Sequence, residues 1–170
     1  MLRQVSLPAD IPGALFLYHM PGRYDSFEAD SALIQAQQID YVLCLAPIEE
    51  IRRKSPAYAD AIERKNIAWQ RIEFPISDFS APGEDEEPAF LDLVRQVADD
   101  LRSGQRVLIH CAGGIGRTGT AAVCVLLALG FTQEVAIRCI QKAGSHHEAH
   151  EQLELIDWIA ARIKTTQTEK

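Results

Sequence analysis

The sequence has no long apolar run. Its most hydrophobic stretch, Ala121 to Leu129, falls far short of the roughly 20 residues that a membrane-spanning helix needs, so no membrane partner is expected. Met1 to Pro8 contain no apolar h-region, which argues against a secretory leader. Basic charge is also scarce: 17 Lys and Arg against 24 Asp and Glu leave a net charge of −7. That balance excludes a general affinity for nucleic acid, which rests on basic side chains that neutralise phosphates, but it leaves room for a small positive pocket. Cysteine is limited to Cys44, Cys111, Cys124 and Cys139. Cys124, inside Ala-Ala-Val-Cys-Val-Leu-Leu, and Cys139, before Ile140, read as small buried hydrophobes. A reduced, cytoplasmic protein is expected. Internal repeats, low-complexity segments and linkers are missing too, so one domain over residues 1–170 is expected.

What is present suffices for a core: 170 residues, 47% of them hydrophobic. Ala14–Tyr18, Ile39–Leu45, Ile67–Phe74 and Arg106–His110 read as strands, three of them ending near Pro, Gly or a loop. Between them, Phe27–Gln37 suits a helix capped by Ser26, and Glu49–Lys65 suits one interrupted at Pro56. Phe90, Leu91, Val94, Val97, Ala98 and Leu101 form the apolar stripe of a helix with Pro88 in its first turn. Thr118–Leu129 is apolar nearly all round, as a fully buried helix would be. Thr132 caps a helix through Ile140, and a last helix runs from about Glu148 to Ile163, with Leu153, Ile156, Ile159, Ala160 and Ile163 on one side. The tail from Lys164 to Lys170 is expected to fray. Strands alternating with helices predict an α/β fold whose mostly parallel sheet carries helices on both faces.

The informative segment is His110-Cys111-Ala112-Gly113-Gly114-Ile115-Gly116-Arg117-Thr118-Gly119, between a predicted strand and a predicted buried helix. Three glycines within Gly113–Gly116 let the backbone curl so that successive N–H groups point inward as an anion-binding nest. The following helix adds unpaired N–H groups and the positive end of its dipole. The same donors that hold a phosphate dianion favour a thiolate at Cys111, so its pKa is expected to fall below the free value near 8.5. Arg117 returns over the mouth of such a loop, where its planar fork can take two phosphoryl oxygens. Thr118 is expected to donate its hydroxyl to the sulfur, and the His110 ring to brace the loop backbone. A glycine-rich turn around a buried cysteine is the plain alternative. A nucleotide phosphate loop wants Lys-Ser or Lys-Thr after its glycines, whereas this segment ends in Arg-Thr.

His110-Cys111-x-x-Gly114-x-x-Arg117-Thr118 resembles the signature of the protein tyrosine phosphatase superfamily, in its small dual-specificity-like branch. Leu17 to Gly22, Ile39 to Cys44, Phe74 to Asp78 and Ala143 to Ser145 are similar to segments of the cyclin-dependent-kinase-inhibitor-3 type of phosphatase and its bacterial relatives. The similarity runs from about residue 13 to residue 160. It implies a five-stranded, mainly parallel sheet, no metal or cofactor, a phosphocysteine intermediate on Cys111, and a phosphate site formed by Ala112, Gly113, Gly114, Ile115, Gly116 and Arg117. It also implies a general acid in a loop about thirty residues before the cysteine, which here is Asp78. Read from the residues alone, Asp78 lies just past a strand end in a flexible loop, where it could close over substrate. The plain alternative is a solvated turn aspartate, with Glu84, Asp85, Glu86 and Glu87 as competitors better suited to complement a helix dipole.

In many relatives a glutamine before the last helix places the hydrolytic water. The matching position here is Glu148, with Gln152 one turn on. In some relatives a cysteine at the position of Cys44 pairs with the nucleophile under oxidation, which implies a reversible Cys44–Cys111 bond. A buried strand cysteine is the other reading. His146, His147 and His150 do not fit the H-E-x-x-H zinc pattern and read as solvated residues around a helix start. Lysine is missing at Ala112 and Ile115, where phosphoinositide-directed relatives often carry it, so phosphorylated protein or peptide is the expected partner. Phosphotyrosine is favoured because an aromatic ring reaches a recessed thiol more easily, while phosphoserine and phosphothreonine stay open, since pocket depth decides between them. A rhodanese-like sulfurtransferase, an arsenate reductase and a phosphoprotein-binding module without turnover are the rivals. None of them predicts Cys111, Arg117 and Asp78 together. The sequence is silent on oligomeric state.

Overall fold

Apolar residues run without a break along β2 (Ala14–Tyr18), β3 (Tyr41–Cys44) and the Val107–Ile109 centre of β5 (Arg106–His110), because both faces of these strands are covered. The computed structural model describes residues 1–168, with side chains through Lys164. Together with β1 (Arg3–Gln4) and β4 (Gln70–Glu73), these strands form a five-stranded sheet of order β1-β2-β5-β3-β4. β2, β5, β3 and β4 are mutually parallel, while β1 lies antiparallel on the edge, with Arg3 opposite Leu17.

The two-residue side-chain period of each strand divides the core in two. Leu15, Leu17, Leu43, Val107 and Ile109 face α4 (Glu87–Arg102), α5 (Gly116–Ala128), α6 (Gln133–Lys142) and α7 (His150–Thr168). Phe16, Tyr18, Val42, Cys44 and Leu108 face α1 (Phe27–Ala36), α2 (Ile48–Lys54) and α3 (Pro56–Glu63). The expected stripe of α4 is buried in full, and α5 is buried from Gly116 to Leu127. Ser26 caps α1 by accepting from Ala29 N, and Thr132 caps α6 by accepting from Val135 N. No helix among the described residues is long and apolar enough to cross a membrane.

Several elements differ from the sequence reading. β1 was not expected, since two polar residues carry no strand period. The strands expected over Ile39–Leu45 and Ile67–Phe74 are shorter, although single bonds such as Leu45 N to His110 O (2.9 Å) and Phe74 N to Cys44 O (3.0 Å) extend the pairing beyond the ladders. Pro56 divides α2 from α3 and starts the second helix. On α7, Leu155 and Gln152 are buried and Leu153 is only half-buried, so its inner face is turned from the one read in sequence. The helix continues to Thr168 rather than fraying from Lys164, and residues 169–170 of the expected tail lie outside the described residues. Cys139 is half-buried, not fully buried, with its Sγ 3.3 Å from Ser6 O.

Candidate active site

The parallel strands all end on one side of the sheet, where ligand-binding loops of α/β folds gather. There β5 delivers His110, and the chain curls through residues 111–115 before entering α5. The curl depends on Gly114, at φ +73°, where a Cβ would stand 2.3 Å from Tyr18 O. Its N–H donates to Cys111 Sγ at 3.3 Å. Cys111 is 3% exposed and lies on the floor of a cavity of about 190 Å³. The walls carry Arg23, Tyr24, Lys54, Asp78, Phe79 and Glu148. A larger hollow of about 520 Å³ lies between α1 and α3, but neither cysteine nor histidine lines it.

Arg117 enters this site from the first turn of α5, with its guanidinium buried. The expected fork over the mouth is taken up from behind. Nη1 donates to Glu50 Oε2 (2.7 Å) and Ile76 O (2.8 Å), and Nη2 donates to Glu50 Oε1 (3.1 Å) and Asp78 Oδ1 (3.0 Å). Lys54 Nζ donates to Glu50 Oε1 at 2.6 Å and lies 3.9 Å from Asp78 Oδ2. Burial pushes the Glu50 carboxyl up, but hydrogen bonds and charge from Arg117 and Lys54 outweigh it and hold the group at about 2. The Arg117 guanidinium is raised despite its own desolvation, first by the bond to Glu50 and then by Cys111, Glu50 and Asp78.

Asp78 is half exposed, in the loop between β4 and α4. Its Oδ1 also accepts from Phe79 N at 3.2 Å, and Phe79 holds a left-handed φ of 57°. The loop is tied down by Gln152, whose Nε2 donates to Ser80 O at 3.2 Å. The Gln152 Oε1 accepts from Glu148 N at 2.7 Å and Ala149 N at 3.3 Å, so this side chain also caps the start of α7. Glu148 reaches the loop itself: a Cβ on Gly116 would stand 2.2 Å from Glu148 Oε2.

Behind the cysteine, His110 is buried with Nδ1 2.9 Å from Cys111 O and Nε2 3.2 Å from Tyr58 Oη. Cys44 is opposite His110 in the sheet and its Sγ lies 3.6 Å from Ala46 O. Burial pushes the Cys44 thiol up, but the neighbouring His110 and Arg71 outweigh it and leave the group below its ordinary value. Cys44 and Cys111 are both free and buried, in different core clusters.

The Thr118 hydroxyl is buried and makes no hydrogen bond, and the sulfur accepts from the Gly114 amide. The expected Thr118 bond to the sulfur is therefore not formed. His150 pairs with Glu154 one turn on, at 3.1 Å, and His146 packs its backbone where a Cβ on Gly119 would stand 2.6 Å from His146 N.

Sequence reasoning missed Glu50, Lys54, Tyr58, Arg3 and Ser145. The Glu50–Lys54 spacing of four looks like any exposed helix pair, and only the approach of Arg117 makes Glu50 a buried anchor.

The parallel sheet, the strand–nest–helix unit and the cysteine at its start place the chain among protein tyrosine and dual-specificity phosphatase domains. Residues 12–170 match the PTP-SAK family model, the Swiss Army Knife protein, DSP-PTPase phosphatase domain, and the chain belongs to that family. Among solved structures, Tk-PTP in its active form is similar, with 27% identity, TM-score 0.69, and coverage of 89% of this chain and 95% of that one. Kinase associated phosphatase shares the fold at TM-score 0.78 and 18% identity, with 96% of each chain covered. TpbA of P. aeruginosa shares it at TM-score 0.59 and 16% identity, covering 95% of this chain and 96% of that one. "Putative tyrosine phosphatase 067L" of Invertebrate iridescent virus 3 is 38% identical over 56 residues, which span 32% of this chain and 23% of the viral protein.

Proposed function

We propose that the chain hydrolyses phosphotyrosine in protein or peptide substrates through a phosphocysteine on Cys111, without a metal or cofactor. One observation carries the reading. The Cys111 sulfur lies on the floor of a cavity, receives a backbone N–H, and shares that cavity with an Arg117–Asp78 pair. An incoming phosphoryl group competes with Asp78 for Arg117 Nη2, while the amides of Ala112 to Gly116 and the start of α5 take its other oxygens. Displaced from Arg117, Asp78 is free to meet the leaving oxygen.

In the first step Cys111 Sγ attacks phosphorus, the P–O bond to the tyrosine breaks, and protonated Asp78 gives its proton to the phenolic oxygen. In the second, water attacks the phosphocysteine, Asp78 takes the water's proton, and the S–P bond breaks to release inorganic phosphate and the thiolate. His110 supports the loop, and the buried, unpartnered Thr118 hydroxyl is the candidate donor to the departing thiolate. Tyr24 and Phe79, both largely exposed, line the same cavity and offer apolar walls to a phosphotyrosine ring. The recessed thiol favours that ring over the short arms of phosphoserine and phosphothreonine. Four free thiols support a cytoplasmic location.

The test is turnover of p-nitrophenyl phosphate and of a phosphotyrosine peptide in the presence of EDTA, with Cys111→Ser as control. Turnover that survives chelation and vanishes in the variant is expected. Phosphopeptide binding without turnover would mean a docking module instead, and alkylation of residue 111 unaffected by phosphate would remove the site.

A further inference from the structure

The edge strand β1 is two residues long, yet it carries the Arg3 side chain to the back of the phosphate loop. Arg3 Nη2 donates to Gly114 O at 2.6 Å. Its Nη1 donates to Ala143 O (3.2 Å), Gly144 O (2.5 Å) and Ser145 Oγ (3.0 Å). Ser145 Oγ in turn donates to the same Gly114 carbonyl at 2.7 Å. The 143–145 turn leaves room for this: Gly144 has φ +81°, and a Cβ there would stand 3.0 Å from Arg3 Nη1.

Gly114 is thus held on both sides. Its carbonyl takes two donors from outside the loop, and its amide points at the Cys111 sulfur. A glycine at positive φ is the most easily rotated residue in the loop. Met20 N holds the loop one turn earlier, by donating to Ala112 O at 3.1 Å, and the two carbonyl donors add the restraint at Gly114 itself. We propose that Arg3 is a positioning residue for Cys111: with Ser145 it clamps the Gly114 carbonyl, aims the Gly114 N–H at the sulfur, and sets a fixed positive charge behind the thiol. The proposal rests on Cys111 being the nucleophile.

Arginine suits the task because its planar fork reaches several acceptors at once, where lysine would offer a single point charge. Burial lowers the Arg3 guanidinium and the Cys111 sulfur acts the other way, so the two groups lie within electrostatic reach. The clamp also links the active loop to the edge of the sheet, through the pairing of Arg3 with Leu17.

The experiment compares the full chain with Arg3→Ala, Arg3→Lys, Ser145→Ala and the Arg3→Ala/Ser145→Ala double variant. The readouts are kcat and KM on a phosphotyrosine peptide, the rate of iodoacetamide alkylation at Cys111 at neutral pH, and Tm. Arg3→Ala should slow alkylation and lower kcat by about tenfold, the scale of one lost charged hydrogen bond. Arg3→Lys should recover part of both, through its charge. The double variant should lose less than the product of the single losses, because both donors serve one carbonyl. Wild-type alkylation in Arg3→Ala would overturn the proposal. If Arg3→Ala does not fold, Ser145→Ala removes a donor to the same carbonyl without touching β1, and wild-type alkylation there would overturn it equally. A wild-type chain with no turnover at all would bring down the phosphatase reading, and the clamp with it. An active wild type with unaltered variants would bring down the clamp alone.

Discussion

Glu50 holds Arg117 by both of its carboxylate oxygens, at 2.7 and 3.1 Å, with both side chains buried. The pair sets the guanidinium from behind, so that Nη2 faces Asp78 and the cavity rather than rotating freely. Lys54 completes a cluster in which each buried charge has a partner. Removing one member leaves the others uncompensated.

Glu50→Gln should therefore cost about 3 kcal/mol of stability and lower kcat/KM at least tenfold. The pH dependence has a defined sign. The Glu50 carboxyl titrates at about 2 in the folded chain against an ordinary value of 4.5. Its contribution is fully present above 4.5 and lost as pH falls through about 2. Chemical denaturation of both proteins across that range checks this: the gap in unfolding free energy should be flat from neutrality to 4.5 and shrink below it. A gap that widens in acid would contradict the assignment.

Asp78→Asn should lower turnover of a phosphotyrosine peptide by about 10²–10⁴-fold, the usual worth of positioned proton transfer. The loss should be smaller with p-nitrophenyl phosphate, whose leaving group departs more easily as an anion. Phosphate affinity should hold or tighten, because the variant frees Arg117 from a competing carboxylate. Steady-state kinetics with both substrates, and phosphate inhibition, measure all three. Equal rates in variant and wild type on the peptide would move the acid elsewhere.

Gly114→Ala should abolish activity. The new methyl would meet the Tyr18 carbonyl at 2.3 Å, and the backbone sits at φ +73°, where side chains are strained. The loop must shift, taking its amide away from Cys111. A fall in Tm of several degrees should accompany the loss. Full activity in a folded variant would show that the curl is not needed.

Gln152→Ala removes a cap from α7 and the tether to Ser80. We expect about 1–2 kcal/mol of lost stability, the scale of a helix cap. Faster hydrogen exchange in residues 78–81 should accompany it. Protection unchanged in that loop would show that Gln152 serves α7 alone.

Much of this was legible in the sequence. The local period of the α4 stripe, the Ser26 and Thr132 caps, the break at Pro56 and the glycine nest between β5 and α5 are all set by neighbours within a few residues. Cys111, Arg117 and the order of residues between them announced the loop for the same reason. The other parts were not local. Glu50 and Lys54 have the spacing of any helix pair, and only the packing of α2 under Arg117 gives Glu50 its role. Arg3 and Ser145 stand 142 positions apart, and although Ala143 to Ser145 resemble a family turn, nothing local pairs that turn with Arg3.

Sequence alone determined the class of fold and the chemical types in the loop, because helix and strand periods and glycine's backbone freedom act over short spans. Tertiary structure decided which charges face one another. A guanidinium has several equivalent donors, and which acceptor each one meets depends on how distant segments pack. That is why Arg117 is held by Glu50 and why Asp78 rests on its remaining edge.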